Sequence, residues 1–221
     1  LEQDGIDTYA LREVDDPTGT AHISVLDGGE NAIVVVSGAN AAITALGDGS
    51  RREIEKARYL VAQFERPIEL IGEAFVVARG LGITTVLTPA PVQKVDEALL
   101  QLTDILIPNA QEACELAGVS DETEAATRLS GITDGLIVMT RGSRGALVAR
   151  GGKVEREVPP RTVEPVDTTA AGDTFAGTLV AFLAEGAPLE DALRAATVAA
   201  SISVTRPGAS TSMPTRAEID E

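Results

Sequence analysis

Between residues 59 and 140, short β-rich runs alternate with helical patterns, and no other feature restricts the fold of this chain as strongly. Tyr59–Phe64, Ile83–Leu87, Ile105–Ile107 and Gly135–Thr140 read as strands, the first of them buried. Between them, Ile68–Gly80, a stretch near Val92–Leu102, Ala110–Ala117 and Glu122–Leu129 read as helices. Strands alternating with helices predict an α/β fold, a mainly parallel sheet flanked by helices on both faces. Ligands in such folds bind beyond the C-terminal ends of the strands. The loops after Phe64, Leu87, Ile107 and Thr140 are therefore where a site is expected.

The flanking segments add less regular parts. Ala146–Ala149 and Val154–Val158 border Gly151-Gly152, which predicts a hairpin with a two-residue turn and an antiparallel element at one sheet edge. Gly172–Glu185 and Leu189–Val204 read as two closing helices. His22–Leu26 and Ala32–Val36 form a second hairpin candidate around Asp27-Gly-Gly-Glu-Asn31, and Ile6–Val14 is expected to be extended. Leu1-Glu-Gln-Asp-Gly5 resembles the last turn of a helix closed by a C-cap glycine, so the chain is expected to begin inside a fold. No linker or repeat divides residues 1–221, which read as one domain.

Composition narrows the function. Eighteen Lys and Arg against 34 Asp and Glu leave a net charge of −16, which argues against nonspecific nucleic-acid binding and against anionic membrane surfaces. The single cysteine, Cys114, excludes an internal disulfide and reads as a small apolar helix residue. His22, the only histidine, reads as a strand residue without metal-binding partners. No apolar run has membrane-span length and no signal peptide is visible, so a cytoplasmic location is expected. A G-x-x-x-x-G-K-[ST] loop is absent, and Gly47-x-Gly49 lacks a third glycine at dinucleotide-binding spacing.

The chemistry concentrates in Val166-Asp-Thr-Thr-Ala-Ala-Gly-Asp-Thr-Phe-Ala-Gly177. An extended, proline-containing run ends there in small residues, and helical spacing of Phe175, Leu179, Phe182 and Leu183 begins at once. Ala170, Ala171 and Gly172 let a ligand approach the backbone, and a first helical turn offers N–H groups that suit a phosphate. Asp173 beside that anion hole would take a proton from an attacking hydroxyl, a phosphoryl-transfer arrangement. On spacing alone the same residues also read as a helix cap.

VDTTAAGDTFAG resembles, almost residue for residue, the C-terminal signature of the ribokinase-like sugar kinases. The resemblance extends along essentially the whole chain and implies a ribokinase-like α/β fold. Residues 20–37 would be the hairpin remnant of a partial β lid, and the family's N-terminal segment would be missing. It implies that Asp173 is the general base and that Ala171 and Gly172 form the anion hole with it. Asn109-Ala-Gln-Glu112, a near capping box in its own right, matches the family's N-x-x-E motif. Asn109 would lie near the nucleotide, and Glu112 would serve Mg²⁺ directly or through water.

Further positions follow from the same likeness. Thr140-Arg-Gly-Ser-Arg-Gly145, otherwise a plain polar turn, resembles a segment lying along the ATP phosphates. Thr140, Arg141, Gly142, Ser143, Arg144 and Gly145 are thus expected at ATP with Gly172, and Thr197 at the adenine, where the family often has histidine. Glu65, otherwise an exposed loop acid, would touch the sugar along with Asp173, and Thr88-Pro-Ala-Pro91 resembles the family's N-P-A-P loop. Asp167, Thr169, Ser203, Arg206, Gly208 and Ser212 would surround K⁺, several through backbone carbonyls.

The implied activity is ATP-dependent phosphorylation of a sugar's primary hydroxyl, ribose first, with small-molecule sugar and ATP as partners. Homodimers through the lid are implied as well. Fructose, deoxyribose or a nucleoside are the alternative acceptors, and a noncatalytic nucleotide-binding relative is the alternative outside enzymes. A chain lacking the N-terminal sugar-holding parts is expected to be weakly active or inactive alone.

Overall fold

The computed structural model describes residues 1–25, 31–133 and 135–220. Among these, the strands form two sheets: a two-stranded β1 (Thr20–Val25) and β2 (Asn31–Val36), and a six-stranded sheet in sequential order. The larger sheet holds β3 (Tyr59–Gln63), β4 (Thr84–Thr88), β5 (Ile105–Leu106), β6 (Leu136–Thr140), β7 (Ala146–Arg150) and β8 (Lys153–Val158). β3 to β6 pair in parallel, and β7 and β8 continue antiparallel at one edge. The expected hairpin with its Gly151–Gly152 turn is that edge.

Successive side chains of a strand point to opposite faces, and here each face finds its own helices. The short helix α1 (Ala39–Ala42) and α2 (Asp48–Lys56) come before β3 in the chain. Leu87, Leu106, Ile137 and Met139 pack with α3 (Ile68–Gly80), α4 (Glu97–Gln101), α5 (Ala110–Ala117) and α6 (Glu122–Ile132). Val86, Ile105, Leu136 and Val138 pack with Phe175, Leu179 and Val180 of α7 (Ala171–Ala184), and with Leu193 and Ala196 of α8 (Leu189–Ser203). Cys114 borders the first cluster, and burial pushes its thiol up, as an apolar packing role requires. No helix among the described residues is long and apolar enough to cross a membrane.

Several expectations needed correction. β3 is the sheet edge and not a buried strand: its Val61 is 47% exposed. The helix expected near 92–102 begins only at Glu97, because Gln93 is drawn back to the Phe64 carbonyl at 2.6 Å. Residues 6–14 form a turn closed by Leu11 N–H on the Thr8 carbonyl, with no regular strand. A helix over Asp48–Lys56 was not anticipated, since Ile54 is its one buried residue. Leu1–Gly5 is a short 3₁₀ turn closed by a left-handed Gly5. The β1–β2 pairing matches the hairpin expectation and carries His22 opposite Val34, while its Asp27–Glu30 turn lies outside the described residues.

Candidate active site

The C-terminal ends of β3 to β6 bring the expected loops to one rim. Gln63 is in register with Thr88. Past β5, Asn109 bridges to Thr140 at the end of β6, and Thr140 N–H donates to the Pro108 carbonyl at 2.9 Å. The turns after β3 and β4 are tied by Phe64 N–H on the Ala90 carbonyl at 3.0 Å, and the Ala90–Pro91 bond is cis. The Thr88 hydroxyl reaches the Ala62 carbonyl at 3.3 Å. Glu65 stands exposed in this turn and accepts no hydrogen bond among the described residues.

α7 meets this rim at its first turn. Ala170 precedes the helix in the left-handed region, φ 58°, which a non-glycine residue adopts at a cost. Its carbonyl accepts from both the backbone N–H of Thr174 at 2.9 Å and the Thr174 hydroxyl at 2.8 Å. Ala171 N–H is directed to the Thr168 carbonyl at 3.3 Å. The N–H groups of Gly172 and Asp173 have no acceptor among the described residues, so the unpaired donors of this helix start belong to these two. A Cβ placed on Gly172 would touch nothing, so the space over the donors is open.

Two carboxylates share the locality. Asp173 is exposed on the first turn of α7, and Gln63 donates its side-chain N–H to Asp173 Oδ1 at 2.8 Å. Glu112 forms a full capping box: Asn109 Oδ1 accepts from Glu112 N–H, and Glu112 Oε2 accepts from Asn109 N–H, both at 2.8 Å. Burial holds the Glu112 carboxyl above its ordinary value, and the charges of Glu115 and Asp173 add to this against the Asn109 hydrogen bond. Clustered negative charge with Glu112 Oε1 unengaged suits a hydrated divalent cation. Among the described residues no three His, Cys, Asp or Glu side chains are placed to hold a metal. Mg²⁺, which keeps several waters, needs no such cage.

The Thr140–Gly145 segment folds into a 3₁₀ turn over Gly142–Arg144, closed by Arg141 N–H on the Gly145 carbonyl at 2.7 Å. Only glycine fits at 145, where a Cβ would lie 2.0 Å from the Val158 carbonyl oxygen. Ser143 is exposed and Gly142 has a positive φ. The two arginines expected at ATP are engaged with protein acids. Arg144 grips Glu122 at 2.6 and 2.7 Å, and the buried Arg141 guanidinium pairs with Glu122 and Glu157 at 3.5 and 3.2 Å. Charge on a polyphosphate would thus meet backbone donors before free guanidinium groups. Thr197 on α8 spends its hydroxyl proton on the Leu193 carbonyl at 2.9 Å.

The last group assembles around Asp167. Its Oδ1 accepts from Thr169 N–H and its Oδ2 from Gly208 N–H, each at 2.9 Å, and the Thr169 and Gly208 donors hold its carboxyl down to about 2. Val166 and Asp167 N–H groups both point at the Val204 carbonyl. Ser203 and Ser212 are buried and turn their hydroxyl protons to Ala200 and Ala209 carbonyls, leaving their oxygens as acceptors. Arg206 pairs with Glu218, so only its carbonyl is suited to a cation. An oxygen-rich loop of this kind fits K⁺ better than an anion.

Two contributors escaped the sequence reading. Gln63 carried a signal, standing two residues before Glu65 at a strand end. Glu122 carried none beyond a helix start.

A family profile described as pfkB family carbohydrate kinase matches residues 1–216. A ribokinase of Haemophilus influenzae is 40% identical over 98% of this chain and 72% of its own length. One from Bacillus subtilis is 38% identical over 100% of this chain and 74% of its own. Among solved structures, ribokinase from Thermotoga maritima superposes with a TM-score of 0.84 at 33% identity, covering 94% of this chain and 70% of that one. Arabidopsis thaliana ribokinase, complexed with ribose and ATP, gives 0.83 at 28% identity, covering 93% and 69%.

Proposed function

The chain belongs to the pfkB family of carbohydrate kinases, and on that premise we propose that it transfers the γ-phosphoryl group of ATP to the primary hydroxyl of D-ribose. The observation that carries this reading is Asp173 standing beside the unpaired N–H groups of Gly172 and Asp173, at the strand ends where Glu65 and Asn109 also gather. Asp173 takes the proton of the acceptor hydroxyl as its oxygen attacks, while the two N–H groups stabilise charge on the phosphoryl oxygens. Glu65 receives a sugar hydroxyl. Asn109, Ser143 and the backbone of Thr140–Gly145 lie along the nucleotide. Glu112 would hold Mg²⁺, directly or through water, and the bound ion would supply charge neutralisation for the phosphates. The Asp167–Gly208 loop would hold K⁺, several of its oxygens serving as ligands, and the ion would supply positive charge near the start of α7.

Relatives named ribokinase at 38–40% identity support ribose over other acceptors. Deoxyribokinase of Salmonella typhi, 31% identical, keeps deoxyribose as the second reading. We place the reaction in the cytoplasm, where its co-substrate is plentiful. Pairing of two copies through the β1–β2 hairpin is part of the same proposal, supported by Val34, Val35 and Val36, each more than half exposed.

The test is ADP release from ATP by the full-length natural protein, with a panel of ribose, deoxyribose, fructose and nucleosides and with K⁺ or Na⁺. Ribose-dependent release that K⁺ stimulates is the expected result. Preference for another acceptor, or for none while ATP binds, overturns it.

A further inference from the structure

Asp173 has a fixed neighbour that the reading above does not use. Gln63, the last residue of β3, places its side-chain Nε2 2.8 Å from Asp173 Oδ1, across 110 positions of sequence. A carboxylate only accepts hydrogen bonds, so the NH₂ end of the amide faces it and the carbonyl end turns away. Gln63 is well anchored. Its strand pairs with β4 opposite Thr88, the Thr88 hydroxyl holds the Ala62 carbonyl on one side, and Gln93 holds the Phe64 carbonyl on the other. Asp173 has no such support. It is exposed, and no other side chain among the described residues donates to it. Rotation of a carboxylate about its last torsion is soft, so an exposed Asp at a helix start samples many orientations unless a donor selects one.

We propose that Gln63 is the positioning residue of this site: it holds Asp173 through Oδ1 and thereby presents Oδ2 to the acceptor hydroxyl. The proton of that hydroxyl passes to Oδ2 as the new O–P bond forms and the bond between the γ-phosphorus and its bridging oxygen breaks, releasing ADP. The assignment rests on the kinase reading for what Oδ2 receives, whereas the orientation itself stands on the hydrogen bond. Because Gln63 ends the same strand that leads to Glu65, one backbone segment sets both the base and the expected sugar contact.

Steady-state kinetics of a double-mutant cycle tests the role. Gln63→Leu keeps the bulk and removes the donor. It should lower kcat about tenfold, the scale of one hydrogen bond to a charged group, with KM for ATP and sugar within about twofold. In the Asp173→Asn background the same change should cost nothing further, since its effect runs through the carboxylate. Unchanged kcat, or an equal loss in both backgrounds, overturns the proposal. A second arm needs no turnover: the side-chain amide resonance of Gln63 in ¹⁵N-labelled protein should move on Asp173→Asn. If no acceptor is phosphorylated, the kinase reading falls and this arm still decides the orientation. A resonance that stays in place overturns it.

Discussion

Asp167 and Gly208 meet through a 2.9 Å hydrogen bond from the glycine N–H to the aspartate Oδ2, joining segments 41 residues apart. The other carboxylate oxygen holds Thr169, one residue before the left-handed Ala170 that leads into α7. The start of α7 is thus moored to the loop that follows α8.

Acid should loosen this mooring. The carboxyl of Asp167 is held at about 2, below its ordinary 3.8, so its contribution is complete above about pH 4 and is lost as pH falls through 2. Asp167→Asn should therefore be less stable than the parent at neutral pH, with the difference shrinking between about pH 4 and 2. Thermal melts across that range check it, and the variant should also lose its response to K⁺.

Asp173→Asn removes the proposed base and leaves the N–H donors in place. Turnover should fall by ~10²–10⁴-fold, while ATP affinity by calorimetry stays within a few-fold. Near-parental turnover would remove Asp173 from the mechanism.

Gly172→Ala separates folding from chemistry. Open space around the position predicts a stability gain of about 0.5–1 kcal/mol from helix propensity. The added methyl would crowd a phosphoryl group bound at the neighbouring N–H groups, so turnover should fall about fivefold or more, since a steric cost of about 1 kcal/mol is a factor of about five. A variant that is more stable and equally active would show that phosphate does not approach there.

Glu122→Gln takes a carboxylate from Arg144 and from the buried Arg141, leaving Arg141 with Glu157. Denaturant unfolding should show a loss of about 1–3 kcal/mol. The turn over Gly142–Arg144 should also slacken, raising KM for ATP more than it changes kcat.

Much of this was readable from the chain. Ile68–Gly80 and Ala110–Ala117 lie where their patterns placed them, because each buries an apolar stripe and ends at or beside a glycine. Asp48–Lys56 went unseen because it is polar around nearly its whole surface. The buried reading of β3 followed from its apolar composition, and composition does not say that a strand is at an edge. At the site, the small residues before Asp173 and the Asn109–Glu112 box were legible because each is local. The Gln63–Asp173 and Arg144–Glu122 contacts join distant segments, and nothing within either segment announces its partner.

The left-handed Ala170 carries a consequence for ligand binding. A non-glycine residue in this conformation costs roughly 1–2 kcal/mol, and the hydrogen bonds of Thr174 to its carbonyl hold it there. That cost is met when the chain folds, before any nucleotide arrives. On the proposed reading, an incoming phosphoryl group would meet a receptor already in shape, and its interaction energy would not be diverted into bending the backbone.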